Sequence, residues 1–228
     1  MQAPAFNEQV IAIFAFATTT SVETVSKFSV TCSGSDRNEV SVSKTVDVIY
    51  PFRLYSCRFT VPVCNTSANP REVGPEGDFS TSAQLYVAVG VLALLYSLGA
   101  AVVYVCFDEK YRKYDAIPVI DFCISLCYTF LWTLASCLWA KAVKNIQHNL
   151  NPVNMWHSGE SGVTECEYNY ALKHGIVCSV DEKGNFAGLN VSIIFGFLNA
   201  LVWGCNLYFL FKETKWFKKN GRPENFIN

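Results

Sequence analysis

Catalytic signatures are missing from this chain. It has no nucleophile elbow, no phosphate-binding glycine loop, no paired-histidine zinc helix and no intramembrane dyad of ionisable groups. Gly159-Glu160-Ser161-Gly162 looks hydrolase-like but lacks the required spacing and reads as a loop. These absences argue against an enzyme and leave no place for a cofactor. Charge is missing too, and where that matters most. No Asp, Glu, Lys or Arg interrupts Leu85 to Phe107, or Leu189 to Phe211. Each stretch, wound as a helix rising about 1.5 Å per residue, reaches about 34 Å. A hydrocarbon core is about 30 Å thick, so both can cross it with some tilt. The chain reads as an integral membrane protein.

What is present supports that reading. The 228 residues are 51% hydrophobic and 14% aromatic, and the formal net charge of −1 gives no reason to expect a nucleic-acid partner. A third apolar run, Phe122 to Ala140, is flanked by Asp121 and Lys141, which read as interfacial anchors. The first apolar segment is shorter. Val10 to Ala17 is its core, Glu8 snorkels from one end, and no basic region precedes it as a signal peptide would require. The expected fold is therefore an all-α membrane bundle of four helices, near 3–20, 85–107, 119–140 and 189–211. Lys110, Arg112 and Lys113 put the connector 108–118 in the cytosol, and the basic tail 212–228 joins it. Both termini are then cytosolic, with the loops 21–82 and 142–188 in the lumen or outside.

Alternation of Phe28, Val30 and Cys32, and of Val40, Val42, Val46, Val48 and Tyr50, predicts strands in the first outside loop. The second shows no clear period. Thr81, with Gln84 three residues later, reads as a capping box opening the second span. Cys32, Cys57 and Cys64 leave one thiol over. Cys32 with Cys64 would tie that loop's start to its end, leaving Cys57 free or intermolecular. Cys166 with Cys178 is the pair available within the second loop. Metal is the rival there, since His148, His157 and His174 share that loop, but their spacing matches no tight zinc pattern. Asn65-Thr66-Ser67 is a glycosylation sequon in the first loop; Asn190-Val191-Ser192 also matches, close to the membrane.

Small residues recur every four positions, as Ala93, Ser97 and Ala101 in the second span and Gly196, Ala200 and Gly204 in the fourth. That spacing lets helices approach closely in lipid, within one bundle or between copies of a homo-oligomer. A channel or transporter is one alternative. It would have to use Asn199, Asn206, Thr129 and Thr133, without a charge ring or filter-like glycine run. A junctional adhesion protein is another, though the paired-cysteine loop signature of claudins is absent. Past the fourth span, Lys212, Lys215, Lys218, Lys219 and Arg222 surround Trp216 and Phe217 and suit an anionic leaflet.

Several segments resemble the synaptophysin family, four-span vesicle proteins of the MARVEL-domain class. They include Ile13-Phe-Ala-Phe-Ala-Thr18, Tyr50-Pro51-Phe52-Arg53-Leu54 and Gly77-Asp-Phe-Ser-Thr-Ser-Ala-Gln84. Asp121-Phe122, Trp139-Ala-Lys141, Gly188-Leu-Asn-Val-Ser192, Phe195-Gly-Phe-Leu-Asn199 and Phe211-Lys-Glu-Thr214 follow in register. The resemblance implies a MARVEL-like bundle with disulfides Cys32–Cys64 and Cys166–Cys178 in its luminal loops. It implies residence in synaptic or other transport vesicles, and association with cholesterol, a synaptobrevin-type fusion protein and further copies of itself. The role implied is organising vesicle composition, exocytosis and retrieval. The short tail lacks the tyrosine-glycine-proline repeats of neuronal members and resembles broadly expressed or muscle-type relatives.

Overall fold

The computed structural model describes residues 3–33, 39–64, 69–106, 116–157 and 162–213. Four helices carry the apolar segments: α1 (Ala3–Thr20), α2 (Ser80–Cys106), α3 (Ala116–Asn149) and, last in the chain, α6 (Ala187–Glu213). Among the described residues, three helices are long and apolar enough to cross a membrane, Ser80–Val103, Val119–Asn149 and Ala187–Lys212. The apolar part of α1, Gln9–Thr20, is shorter; at about 1.5 Å per residue it covers about 18 Å.

The third helix is longer than its hydropathy predicts. Its 34 residues amount to about 51 Å, well beyond a hydrocarbon core of about 30 Å. Lys141 closes the apolar run, but helix continues to Asn149 because Ala142, Val143, Ile146 and Leu150 keep an apolar face that is buried.

The chain divides into two compact units. One holds the chain up to Thr18, Leu85–Trp139 and everything from Val191. Its interior is aromatic and small: Tyr86, Trp132, Trp139 and Trp203 are buried, with Ala12, Ala15, Ala93 and Ala135. The other holds Thr19–Gln84 and Ala140–Asn190. It is built on a three-stranded antiparallel sheet of order β2-β1-β5, from β1 (Glu23–Ser33), β2 (Glu39–Ile49) and β5 (Val177–Glu182). In β1 the period-two pattern puts Thr24, Ser26, Phe28 and Val30 on the buried face, opposite Val48, Val46, Lys44 and Val42 of β2. Phe28 meets the rings of Phe59 and Trp156 at 5.5 and 6.3 Å. A second hairpin pairs β3 (Phe59–Val61) with β4 (Arg71–Val73).

The second outside loop is more ordered than its sequence predicts. It contains the short helices α4 (Pro152–Trp156) and α5 (Tyr168–His174) as well as β5. An edge strand with largely exposed side chains has no need of an apolar alternation, so β5 gave no period to read. It is fixed by pairing with β1 over Thr31↔Val177, Val30↔Cys178 and Ser29↔Ser179. Ser29 and Ser179 share a hydroxyl–hydroxyl bond of 2.7 Å, and Ser29 donates to Asp181 at 3.0 Å.

The start of α2 also differs from the predicted capping box. The helix begins at Ser80, one residue before Thr81, so the Thr81 hydroxyl lies inside the first turn. Asp78 does the capping instead: its Oδ1 accepts the Ser80 N–H at 2.9 Å. The hydroxyl and N–H of Ser80, with a smaller contribution from the Arg53 charge, hold the exposed Asp78 carboxyl below the usual carboxylate range.

Candidate functional site

The membrane helices pack through one glycine in particular. A Cβ on Gly196 would lie 2.5 Å from Ser136 Oγ and 2.7 Å from Tyr86 Oη, so α6 approaches α2 and α3 only because that position has no side chain. At Gly204 the nearest atom to a Cβ would be Thr129 Cγ2 at 3.8 Å, an ordinary contact. Gly196 is buried, whereas Ala200 and Gly204 are half-buried and line an open apolar groove of about 500 Å³ with Leu201, Cys205, Tyr208 and Phe209. On α2, Ala93 and Ser97 are buried and Ala101 is half-buried. Gly90, which the four-residue spacing does not pick out, packs under Phe16 and Trp132.

Around Gly196, Tyr86 and Trp139 hydrogen-bond across helices to Ser192, whereas Ser136 Oγ and Trp132 Nε1 are buried without a hydrogen-bond partner among the described residues. Tyr86 Oη donates to the Ser192 carbonyl at 2.5 Å, and Trp139 Nε1 donates to Ser192 Oγ at 2.8 Å. The Tyr86 ring stacks on Trp139 (6.0 Å) and meets Trp132 edge-on (5.7 Å). The Asn190 sequon is thus helical and occupied: Ser192 is buried, and Asn190 Oδ1 accepts from Gln147 Nε2 at 3.0 Å.

Asp121 is tied across helices rather than serving only as an interfacial anchor, since Tyr96 Oη donates to its Oδ1 at 2.5 Å. Three of the four residues named for a conducting path turn back on their own helices. Thr129 bonds the Ser125 carbonyl, Thr133 the Thr129 carbonyl, and Asn199 Nδ2 the Phe195 carbonyl. Such i−4 bonds engage each side chain on its own helix, while the Asn199 Oδ1 is buried without a hydrogen-bond partner among the described residues.

In the other unit, disulfides join Cys32 to Cys64 and Cys166 to Cys178, with Cα–Cα distances of 5.4 and 5.6 Å. Cys57 is a free thiol whose Sγ lies 3.0 Å from the Asp47 carbonyl, and burial pushes its pKa up. The buried carboxylate of Glu165 accepts the Val63 N–H at 2.6 Å and the Cys64 N–H at 2.9 Å. Arg71 Nη2 donates to the Gly162 carbonyl at 3.0 Å. Sequence reasoning missed Glu165, because nothing local distinguishes a loop glutamate whose partners lie a hundred residues away.

Two of the segments singled out in the sequence meet each other. The Leu54 N–H donates to the Gly77 carbonyl at 3.0 Å, the Phe79 N–H to the Phe52 carbonyl at 3.1 Å, and the backbones of Arg53 and Asp78 pair as an isolated antiparallel β-bridge. Phe52 and Leu54 are fully buried, Tyr50 and Pro51 are half-buried and Arg53 is exposed. Phe52 has φ of 67°, and the Tyr50–Pro51 bond is cis.

At the end of α6, the Lys212 ammonium sits 4.3 Å from the centre of the Tyr208 ring. Lys215, Lys218, Lys219, Arg222 and Asn65 lie outside the described residues. Among the described residues, no cluster of three or more His, Cys, Asp or Glu could hold a metal ion. The MARVEL membrane-associating domain matches residues 6–209, nearly the whole chain. The protein belongs to the MARVEL family of membrane-associating proteins.

Proposed function

We propose that this protein is a synaptophysin-type member of that family, resident in synaptic or other transport vesicles. It organises vesicle composition and regulates exocytosis and retrieval by binding partner helices and cholesterol laterally in the membrane, without catalysing a reaction. In this reading α1 is a fourth span, both termini face the cytosol, and the disulfide-tied sheet region is luminal. The observation that carries it is how little of the helix surface the protein covers itself. Only 28%, 28% and 22% of the three spans' most apolar windows are buried within the chain. The rest of each span presents apolar side chains on which lipids and partner helices can pack. The groove beside Ala200 and Gly204, with small residues facing outward, is one surface on which a partner helix or a further copy could pack.

Co-purification in mild detergent tests this directly. The full chain is expected to bring down a synaptobrevin-type protein and to crosslink to a photoreactive cholesterol. Recovery of neither, from cells whose vesicles contain the protein, overturns the reading. Terminal tags accessible only from the cytosol, together with glycosidase sensitivity at Asn65, test the four-span topology separately.

A further inference from the structure

The apolar groove on α6 runs along one half of its membrane span. That span is Ala187–Lys212, and Ala200, where the groove starts, lies at its middle. Leu201, Gly204, Cys205, Tyr208 and Phe209 carry the groove on toward the Lys212 end. From Ala200 to Lys212 the helix rises about 18 Å. Half of a hydrocarbon core is about 15 Å, so the groove crosses one leaflet and ends at its head groups. Leu201, Cys205, Tyr208 and Phe209 are exposed, which leaves the groove open along its side. A helix crossing the bilayer would run beside the whole span, whereas an acyl chain runs through one leaflet.

The rim of the groove carries a charge. Lys212 is exposed, and its ammonium rests 4.3 Å from the centre of the Tyr208 ring, which itself lines the groove. An ammonium has three N–H donors and no acceptor, and a ring face takes up one side of it. Lys212 therefore holds a cation with free donors at the head-group end of the groove. A net negative phosphate is favoured there. A zwitterionic head group brings a competing ammonium of its own, and a sterol hydroxyl has no charge to pair. Past Lys212 the sequence adds Lys215, Lys218, Lys219 and Arg222 against Glu213 and Glu224, so the surrounding charge is positive as well. We propose that the groove holds an acyl chain of an anionic phospholipid, with its phosphate on Lys212. The inference needs α6 to cross a bilayer and does not depend on the vesicle role.

The test offers the purified full chain, in a neutral maltoside detergent, equimolar dioleoylphosphatidylserine and dioleoylphosphatidylcholine, and reads bound lipid by native mass spectrometry. Wild type is expected to prefer phosphatidylserine. Lys212→Gln should lower that preference about fivefold, the effect of one cation on an anionic lipid, and Lys212→Arg should keep it. Cys205→Trp fills the groove and leaves every charge in place, so it should cut phosphatidylserine retention at least about fivefold. Both side chains are exposed, and thermal melts of these variants should match wild type. If Cys205→Trp retains phosphatidylserine as wild type does, the basic tail alone attracts the lipid and the proposal is overturned. A preference unchanged by Lys212→Gln overturns it equally. A dimer that Cys205→Trp splits, with phosphatidylserine retention unaltered, gives the groove to a further copy and overturns it too. No vesicle partner enters this test, so its failure is distinct from a failure of the vesicle reading.

Discussion

Trp139 of α3 donates its indole N–H to the hydroxyl of Ser192 on α6 at 2.8 Å, with both residues buried. In hydrocarbon such a bond has no water to compete with it, yet interhelical bonds of this kind average only about 0.6 kcal/mol, up to about 1.7. Ser192→Ala removes the acceptor and should lower thermal stability in detergent by about 1 kcal/mol. Trp139→Phe should cost a similar amount. The double variant should cost less than the sum, since the pair shares one interaction. A fully additive cycle would show that the contact carries no coupling.

Gly196 and Gly204 should separate sharply on substitution. Gly196→Val drives atoms into Ser136 Oγ and Tyr86 Oη, and overpacking of this kind costs about 1–3 kcal/mol. Gly204→Ala meets only an ordinary contact, so its melting temperature should stay close to wild type. Tryptophan-fluorescence melts of the two variants in one detergent decide the matter.

Glu165→Ala leaves the Val63 and Cys64 amides without their shared carboxylate. Hydrogen bonds to a charged group are each worth about 1.5–3 kcal/mol, so hydrogen–deuterium exchange at these two amides should accelerate at least about tenfold. Exchange at the paired residues Thr24 and Val48 serves as the internal reference and should change far less.

The cysteines predict a simple pattern on non-reducing gels. Cys57→Ala keeps both disulfides and the wild-type mobility, because Cys57 is the free thiol of its loop. Cys32→Ala or Cys64→Ala opens a crosslink between residues 32 apart in sequence, a loss of about 4 kcal/mol on chain-entropy grounds. Burial raises the Cys57 pKa, so alkylation at neutral pH should be slower than for an exposed model thiol and should speed up as pH rises.

Asp78 gives a pH dependence with a defined sign. Its folded pKa is depressed below the ordinary carboxylate value by the Ser80 hydroxyl and N–H and by Arg53. Its contribution is therefore fully present above pH about 4 and is lost as pH falls through the depressed value. Asp78→Asn should flatten the acid limb of the stability profile below pH 4 and leave the profile between pH 5 and 8 unchanged. An equally steep acid limb in wild type and variant would remove Asp78 from the account.

The elements that could be read in advance were those set by local pattern. Alternation in Glu23–Ser33 identified the buried face of β1, and the uncharged stretches identified α2 and α6. Reading failed where a segment borrows its structure. β5 carries no apolar alternation because β1 supplies its order, and the α2 cap belongs to Asp78 because the helix begins two residues earlier than Thr81 as an N-cap requires. The spacing of Gly196, Ala200 and Gly204 is uniform, but contact is not, since Gly196 faces Tyr86 and Ser136 while its neighbours line an outward groove.

Hydropathy, length and alternation are read along the chain, and they sufficed to assign this protein to the membrane and its first outside loop to β structure. Partner choice is a property of distance in space. Glu165 with Val63, Tyr96 with Asp121 and Trp139 with Ser192 join residues 102, 25 and 53 positions apart. No local signal marks those pairings, because each bond exists only after separate helices and loops have packed and excluded the water that would otherwise have satisfied its groups.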